Sequence, residues 1–150
     1  PFLGRPGKWA VVLGITSNAG ADDFQFLKVN GNGKGERYLY QAVMERCAEW
    51  GDADELMFVV GATRPEILAE ARKATPEHFF LVPGVGAQGG DLQAVLKAGL
   101  TSDGGLLINS SRGILYAGQG EDAMPAARRA AIELQQTMSL AMERFAPAGA

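Results

Sequence analysis

Four short, almost unbroken apolar runs, separated by segments with helical periodicity, leave this chain very few architectures. The runs are residues 9–15 (WAVVLGI), 57–60 (MFVV), 79–82 (FFLV) and 106–108 (LLI). None alternates polar with apolar residues, so each reads as a strand covered on both faces, the habit of parallel sheets. Between them, residues 36–50 place Leu39, Val43, Met44 and Cys47 on one helical face. A second helix is predicted up to about residue 74, introduced by Thr63 and Glu66 as a Thr-x-x-Glu capping box with Pro65 near its first position. A third is predicted from Asp91 to just before Gly99, where glycine serves as a stop. The fourth and longest covers about residues 125–145, with Ala127, Ala131, Leu134, Met138, Ala141 and Phe145 as its buried stripe. A β-α order repeated in this way implies an α/β fold with right-handed crossovers, either an open doubly wound sheet or part of a (β/α)8 barrel. A complete barrel takes about 250 residues. The 150 residues here suffice for half of one.

Composition narrows the functional classes. With 47% apolar and 21% charged residues the chain is ordinary globular material. Its net charge of -3 offers no general attraction to nucleic acid, so an anionic ligand has to be held locally. One cysteine, Cys47, rules out a disulfide framework and, with His78 as the sole histidine, argues against a zinc site. A reducing cytoplasm is the compartment this usage suits. No stretch has the unbroken apolar core of a signal peptide or membrane span. The chain begins at Pro1 without methionine, which predicts a processed product or one segment of something longer.

In folds of this kind ligands bind at the C-terminal ends of the strands. Two unusual segments fall there. After the third strand comes PGVGAQGG, with Gly84, Gly86, Gly89 and Gly90; after the fourth comes NSSRGILYAG, with Arg112 followed by Gly113 and a short apolar turn. So many glycines cost conformational entropy on folding and are expected where something must come close to the backbone. Backbone N–H groups at such a turn, beside a guanidinium, suit a phosphate dianion. Taken singly, each segment also reads as a plain turn and a surface arginine; their adjacency favours the phosphate. Thr16, Ser17 and Asn18 end the first strand on the same side, where a hydroxyl or amide could bond a polar ring or simply make a turn. NGNGKG, residues 30–35, is not a P-loop, because Gly35 stands where Ser or Thr must follow the lysine, and it reads as a surface loop. Cys47 and His78 fall at the opposite end of the strands and read as structural or solvated. No Ser-His-Asp set, Cys-His pair or H-E-x-x-H motif is present.

VVLGITSNAGADDFQ, FVVGATRPE, FFLVPGVGAQGGD and GLLINSSRGILYAG, in this order and spacing, strongly resemble orotidine 5'-phosphate decarboxylase, in particular its longer bacterial branch. The resemblance covers nearly the whole chain and implies that residues 1–150 are the C-terminal half of a (β/α)8 barrel, strands five to eight. It also implies roles for single residues. Gln88 resembles the glutamine that touches both phosphate and pyrimidine, Arg112 the phosphate-binding arginine, with the N–H groups of Ser111 and Arg112 completing the cradle. Ser17 resembles the serine that bonds the pyrimidine, and Pro83 the proline at the ring edge. All are substrate-binding residues; no catalytic residue is expected in this segment. The family's Lys-Asp array, built around D-x-K-x-x-D, has no counterpart, since Lys28, Lys34 and the Asp22-Asp23 pair do not reproduce it. The activity so implied is cofactor-free decarboxylation of orotidine 5'-phosphate to UMP in pyrimidine biosynthesis, by a homodimer completed by an N-terminal half in cis or in trans, with no metal, nucleic acid or membrane involved. The alternative reading is a non-catalytic nucleotide-binding or interaction module that retains the grip without the chemistry.

Overall fold

A computed structural model describes residues 2–30, 35–86 and 89–145. Four parallel strands form its centre: β1 (Ala10–Ile15), β4 (Leu56–Val60), β5 (Phe79–Pro83) and β6 (Leu106–Asn109), in the spatial order β1-β4-β5-β6. Register runs from Ala10 opposite Leu56, through Phe58 opposite Phe80, to Phe80 opposite Leu106. Each strand lies beside its successor, as expected when every crossover turns the same way. The expected α/β architecture is therefore present, with each strand within a residue or so of its predicted span.

Helices cover one face of this sheet. They are α2 (Leu39–Ala48), α3 (Pro65–Ala74), α4 (Leu92–Gly99) and α6 (Ala123–Phe145), with α2 packed on α3, α3 on α4 and α4 on α6. Phe58, Val60, Phe80 and Val82 from the strands meet Met44, Leu68, Val95 and Leu96 from the helices in one fully buried cluster. Burying each such side chain stabilises the fold by about 1.5 to 3 kcal/mol. Strand periodicity turns the alternate residues to the other face. There Val11, Leu13 and Leu107 remain 50%, 54% and 45% exposed, so the strands are covered on one face only, against the expectation of two.

Several local expectations need correction. Residues 36–38 are not the start of a helix but a strand, β3 (Glu36–Tyr38), antiparallel to β2 (Lys28–Asn30). Lys28 pairs with Glu36 at 2.7 Å, and Tyr38 packs on Phe26 and stacks on Tyr40. The helix begins only at Leu39, where the Gln41 side chain accepts from the Tyr38 N–H at 3.1 Å. Four residues of the NGNGKG segment, 31–34, lie outside the described residues. The Thr63 capping box does not form: Arg64 is the N-cap of α3, without a side-chain cap bond, and Pro65 occupies the first helical position. Gly99 is the last residue of α4 rather than a residue beyond it. A Cβ there would stand 2.6 Å from Leu68 Cδ2 and 2.9 Å from Leu106 Cδ2, so close packing, not a helix stop, requires the glycine. α6 starts two residues early, with Pro125 in its first turn where no N–H is lost.

Candidate functional site

All four strands point their C-terminal ends to one side, and the glycine turn and the arginine loop meet there. Gly84, Gly86 and Gly89 have φ of 97°, 73° and 86°, a region that side chains rarely adopt, which explains the glycine density of the PGVGAQGG segment. The turn is pinned by Gly90 N–H donating to Gly84 O at 3.1 Å and Gly86 N–H donating to Gly90 O at 3.0 Å. Asp91 then caps α4, its carboxylate accepting from Gln93 N–H at 2.9 Å. Gln88, predicted to touch phosphate and pyrimidine, lies outside the described residues, as does Ala87.

Across from this turn, β6 leads into a short helix, α5 (Ser111–Leu115). The two strand ends enclose a cavity of about 80 Å³ lined by Pro83, Gly84, Val85, Asn109, Ser110 and the Ser111-Arg112 pair. Three of the five predicted site residues, Pro83, Ser111 and Arg112, are thus brought together. Arg112 is exposed, and among the described residues no hydrogen bond or ion pair engages its guanidinium, so its charge is free for an anion. Asn109 and Ser110 were not singled out from the sequence. Asn109 Oδ1 accepts from Ser111 Oγ at 2.9 Å and from Ser111 N–H at 3.3 Å, which sets the loop's shape. Their place in the polar NSS run at a strand end was the available signal.

Ser17 lies apart from this cavity, at the end of β1. With β4 and β5 between, β1 and β6 are three strand spacings apart, ~14 Å along a flat sheet and less across a curved one. The loop bearing Ser17 is tied down on both sides. Gln25 Oε1 accepts from Thr16 N–H at 3.0 Å, and Arg64, from the loop after β4, reaches Asp22 at 3.3 Å while its guanidinium covers the Phe26 ring at 4.5 Å. Asn18 makes the turn into the short helix α1 (Ala21–Phe24), its carbonyl accepting from Ala21 N–H at 3.0 Å.

The remaining polar groups have other roles. Lys28 is committed to Glu36 in the hairpin and Asp22 to Arg64. Cys47 is buried in α2, and that burial pushes its thiol pKa up, away from reactivity. His78 is buried with Nε2 at 3.2 Å from Gly51 O, far from the glycine turn, as expected of a structural residue. Among the described residues no helix is long and apolar enough to cross a membrane.

No protein-family model matches the chain. Individual proteins do. A protein of Bacteroides fragilis named orotidine 5'-phosphate decarboxylase is 46% identical over 139 residues, 93% of this chain and 49% of that protein. One of the same name from Christiangramia forsetii is 47% identical over 145 residues, 97% of this chain and 52% of that protein. The solved structure of Leishmania donovani OMP decarboxylase superposes with a TM-score of 0.78 at 40% identity, covering 93% of this chain and 50% of that one. The chain is homologous to one half of orotidine 5'-phosphate decarboxylase. It spans about half the length of the curated relatives it matches. Its parallel sheet with helices on one face superposes on about half of the barrel of the Leishmania donovani OMP decarboxylase.

Proposed function

We propose that residues 1–150 are the C-terminal half of an orotidine 5'-phosphate decarboxylase, strands five to eight of its barrel, and that they supply the grip on phosphate and pyrimidine. The observation that carries this reading is the cavity between β5 and β6, where Pro83, Ser111 and Arg112 converge beside a left-handed glycine turn. An unpartnered guanidinium and loop N–H groups suit a phosphate dianion. In this reading the pyrimidine of a nucleotide anchored by that phosphate reaches toward Ser17, three strands away. Gln88 bridges the two in this reading.

The chemistry is loss of CO2 from C6 of orotate without a cofactor, leaving a carbanion at C6 that a lysine of the N-terminal half protonates. This chain's own residues work at a distance from C6. Binding energy from a remote phosphate helps when it is used to position and destabilise the reacting carboxylate, which raises the rate rather than only the affinity. The partner implied is an N-terminal half-barrel, in cis or in trans, that covers the exposed Val11, Leu13 and Leu107 face, with the completed enzyme a cytoplasmic homodimer. Titrating the completed barrel with UMP, ribose 5-phosphate and uridine tests the grip. Binding of the two phosphorylated ligands well above uridine is expected; equal binding of uridine and UMP contradicts the phosphate assignment.

A further inference from the structure

Gly61 follows β4 and faces the loop that carries Ser17. Its backbone φ is not in the left-handed region, so conformational freedom does not explain a glycine there. Space does. A Cβ at Gly61 would stand 2.0 Å from Ser17 Oγ, 2.9 Å from Ser17 N and 3.1 Å from Ser17 Cβ. Gly61 cannot move aside, because its N–H donates to Ile15 O at 3.0 Å and the N–H of buried Ala62 donates to Pro83 O at 3.0 Å. On the other side, Thr16 is held by Gln25. Ser17 therefore sits between two fixed points, with its hydroxyl laid against bare backbone. Among the described residues no hydrogen bond occupies that hydroxyl, so it is available to a ligand.

We propose that Gly61 is a positioning residue for pyrimidine recognition: its missing side chain is the seat that aims the Ser17 hydroxyl, with Gln25 fixing the residue before it. The inference rests on Ser17 being a pyrimidine contact, as under the proposed function. Any side chain at position 61 forces the hydroxyl out of its seat while leaving the Arg112 cradle, two strands further along the sheet, untouched.

The test uses the completed decarboxylase and two probes, UMP and ribose 5-phosphate. Gly61→Ala should weaken UMP binding at least tenfold and leave ribose 5-phosphate binding within about twofold, since only the former carries a pyrimidine. In a Ser17→Gly background, where only the 2.9 Å approach to the backbone N of residue 17 is left of the clash, adding Gly61→Ala should weaken UMP binding several-fold less than it does in the parent. Ribose 5-phosphate binding also reports folding, and a Gly61→Ala variant that loses it along with UMP overturns a role confined to the pyrimidine. Unchanged UMP binding in Gly61→Ala overturns the inference. So does an equal loss of UMP affinity with and without the Ser17 side chain. A parent enzyme that binds both phosphates equally well overturns the pyrimidine role of Ser17 itself, a failure of the underlying reading that differs visibly from the others.

Discussion

Removing the Arg112 side chain tests the proposed grip on phosphate separately from the stability of the fold. Its guanidinium is exposed, has no partner among the described residues, and borders a cavity of about 80 Å³ open to solvent. Arg112→Ala therefore deletes nothing that holds the protein together, and the melting temperature should stay within about 2 °C, because surface changes of this kind fall within about 0.5 kcal/mol. The loss appears when phosphate is bound. Leaving a charged partner unpaired costs about 2 to 5 kcal/mol. Solvent access to the cradle places the expectation toward the lower end, about 2 to 3 kcal/mol, which is roughly a 30- to 150-fold fall in kcat/KM. The assay is decarboxylation of orotidine 5'-phosphate by the completed enzyme, with orotidine as the control substrate that lacks the phosphate. The fall should vanish for orotidine. A near-normal kcat/KM on the phosphorylated substrate, or an equal fall on both, refutes the assignment of Arg112 to the phosphate.

Two further outcomes test the packing that positions the site. Arg72 donates to His78 O at 2.6 Å, Gly99 O at 3.0 Å and Gly105 O at 3.0 Å, tying α3, α4 and the starts of β5 and β6 together over the Phe80 ring. Burial lowers its pKa to about 10, which still leaves it charged at neutral pH. With further bonds to Thr75 O at 3.2 Å and Pro76 O at 3.4 Å also lost, Arg72→Met should cost at least about 3 kcal/mol at ~1 kcal/mol per bond, and Arg72→Lys should not rescue it because an ammonium lacks the fork that spans these carbonyls; thermal unfolding reads both. Tyr40 is buried with no partner for its hydroxyl among the described residues, and burial pushes its pKa up to about 12 from 10.0. An acid whose folded pKa is raised loses stability as pH climbs through the unfolded value, so denaturant unfolding should show stability falling between pH 10 and 12. Tyr40→Phe should flatten that fall and be neutral or mildly stabilising at pH 7, since the unsatisfied hydroxyl is gone; a loss above about 1 kcal/mol at pH 7 would show that the hydroxyl has a partner.

The legible part of this fold was the part encoded locally. Unbroken apolar runs marked all four central strands, although in this chain alternate residues are buried under the helices while Val11, Leu13 and Leu107 on the other face are exposed. The β2-β3 hairpin escaped because each strand has three residues and its stability comes from the Phe26, Tyr38 and Tyr40 contacts, which join residues far apart in the chain. Helical periodicity through Leu39 and Val43 was extended backwards over Glu36 for the same reason. In the site, Pro83, Ser111 and Arg112 stood out because glycine-rich and arginine-bearing loops at adjacent strand ends are unusual in composition as well as in place. Gly61 did not, and Gly99 stood out only as a helix stop, since the need for a missing Cβ is set by Ser17, Leu68 and Leu106 in other elements. Thr63 had the right spacing for a capping box, but the chain enters α3 at Arg64, with Pro65 fixing the first helical φ.

The central claim is that this chain is the gripping half of a decarboxylase whose catalytic lysine resides elsewhere. CO2 release from orotidine 5'-phosphate, measured with this chain, with the N-terminal half of the Bacteroides fragilis relative, and with the two folded together, tests it directly. Turnover only in the combined sample is the predicted result; turnover by this chain alone, or none from a combined barrel shown to bind UMP, contradicts the account.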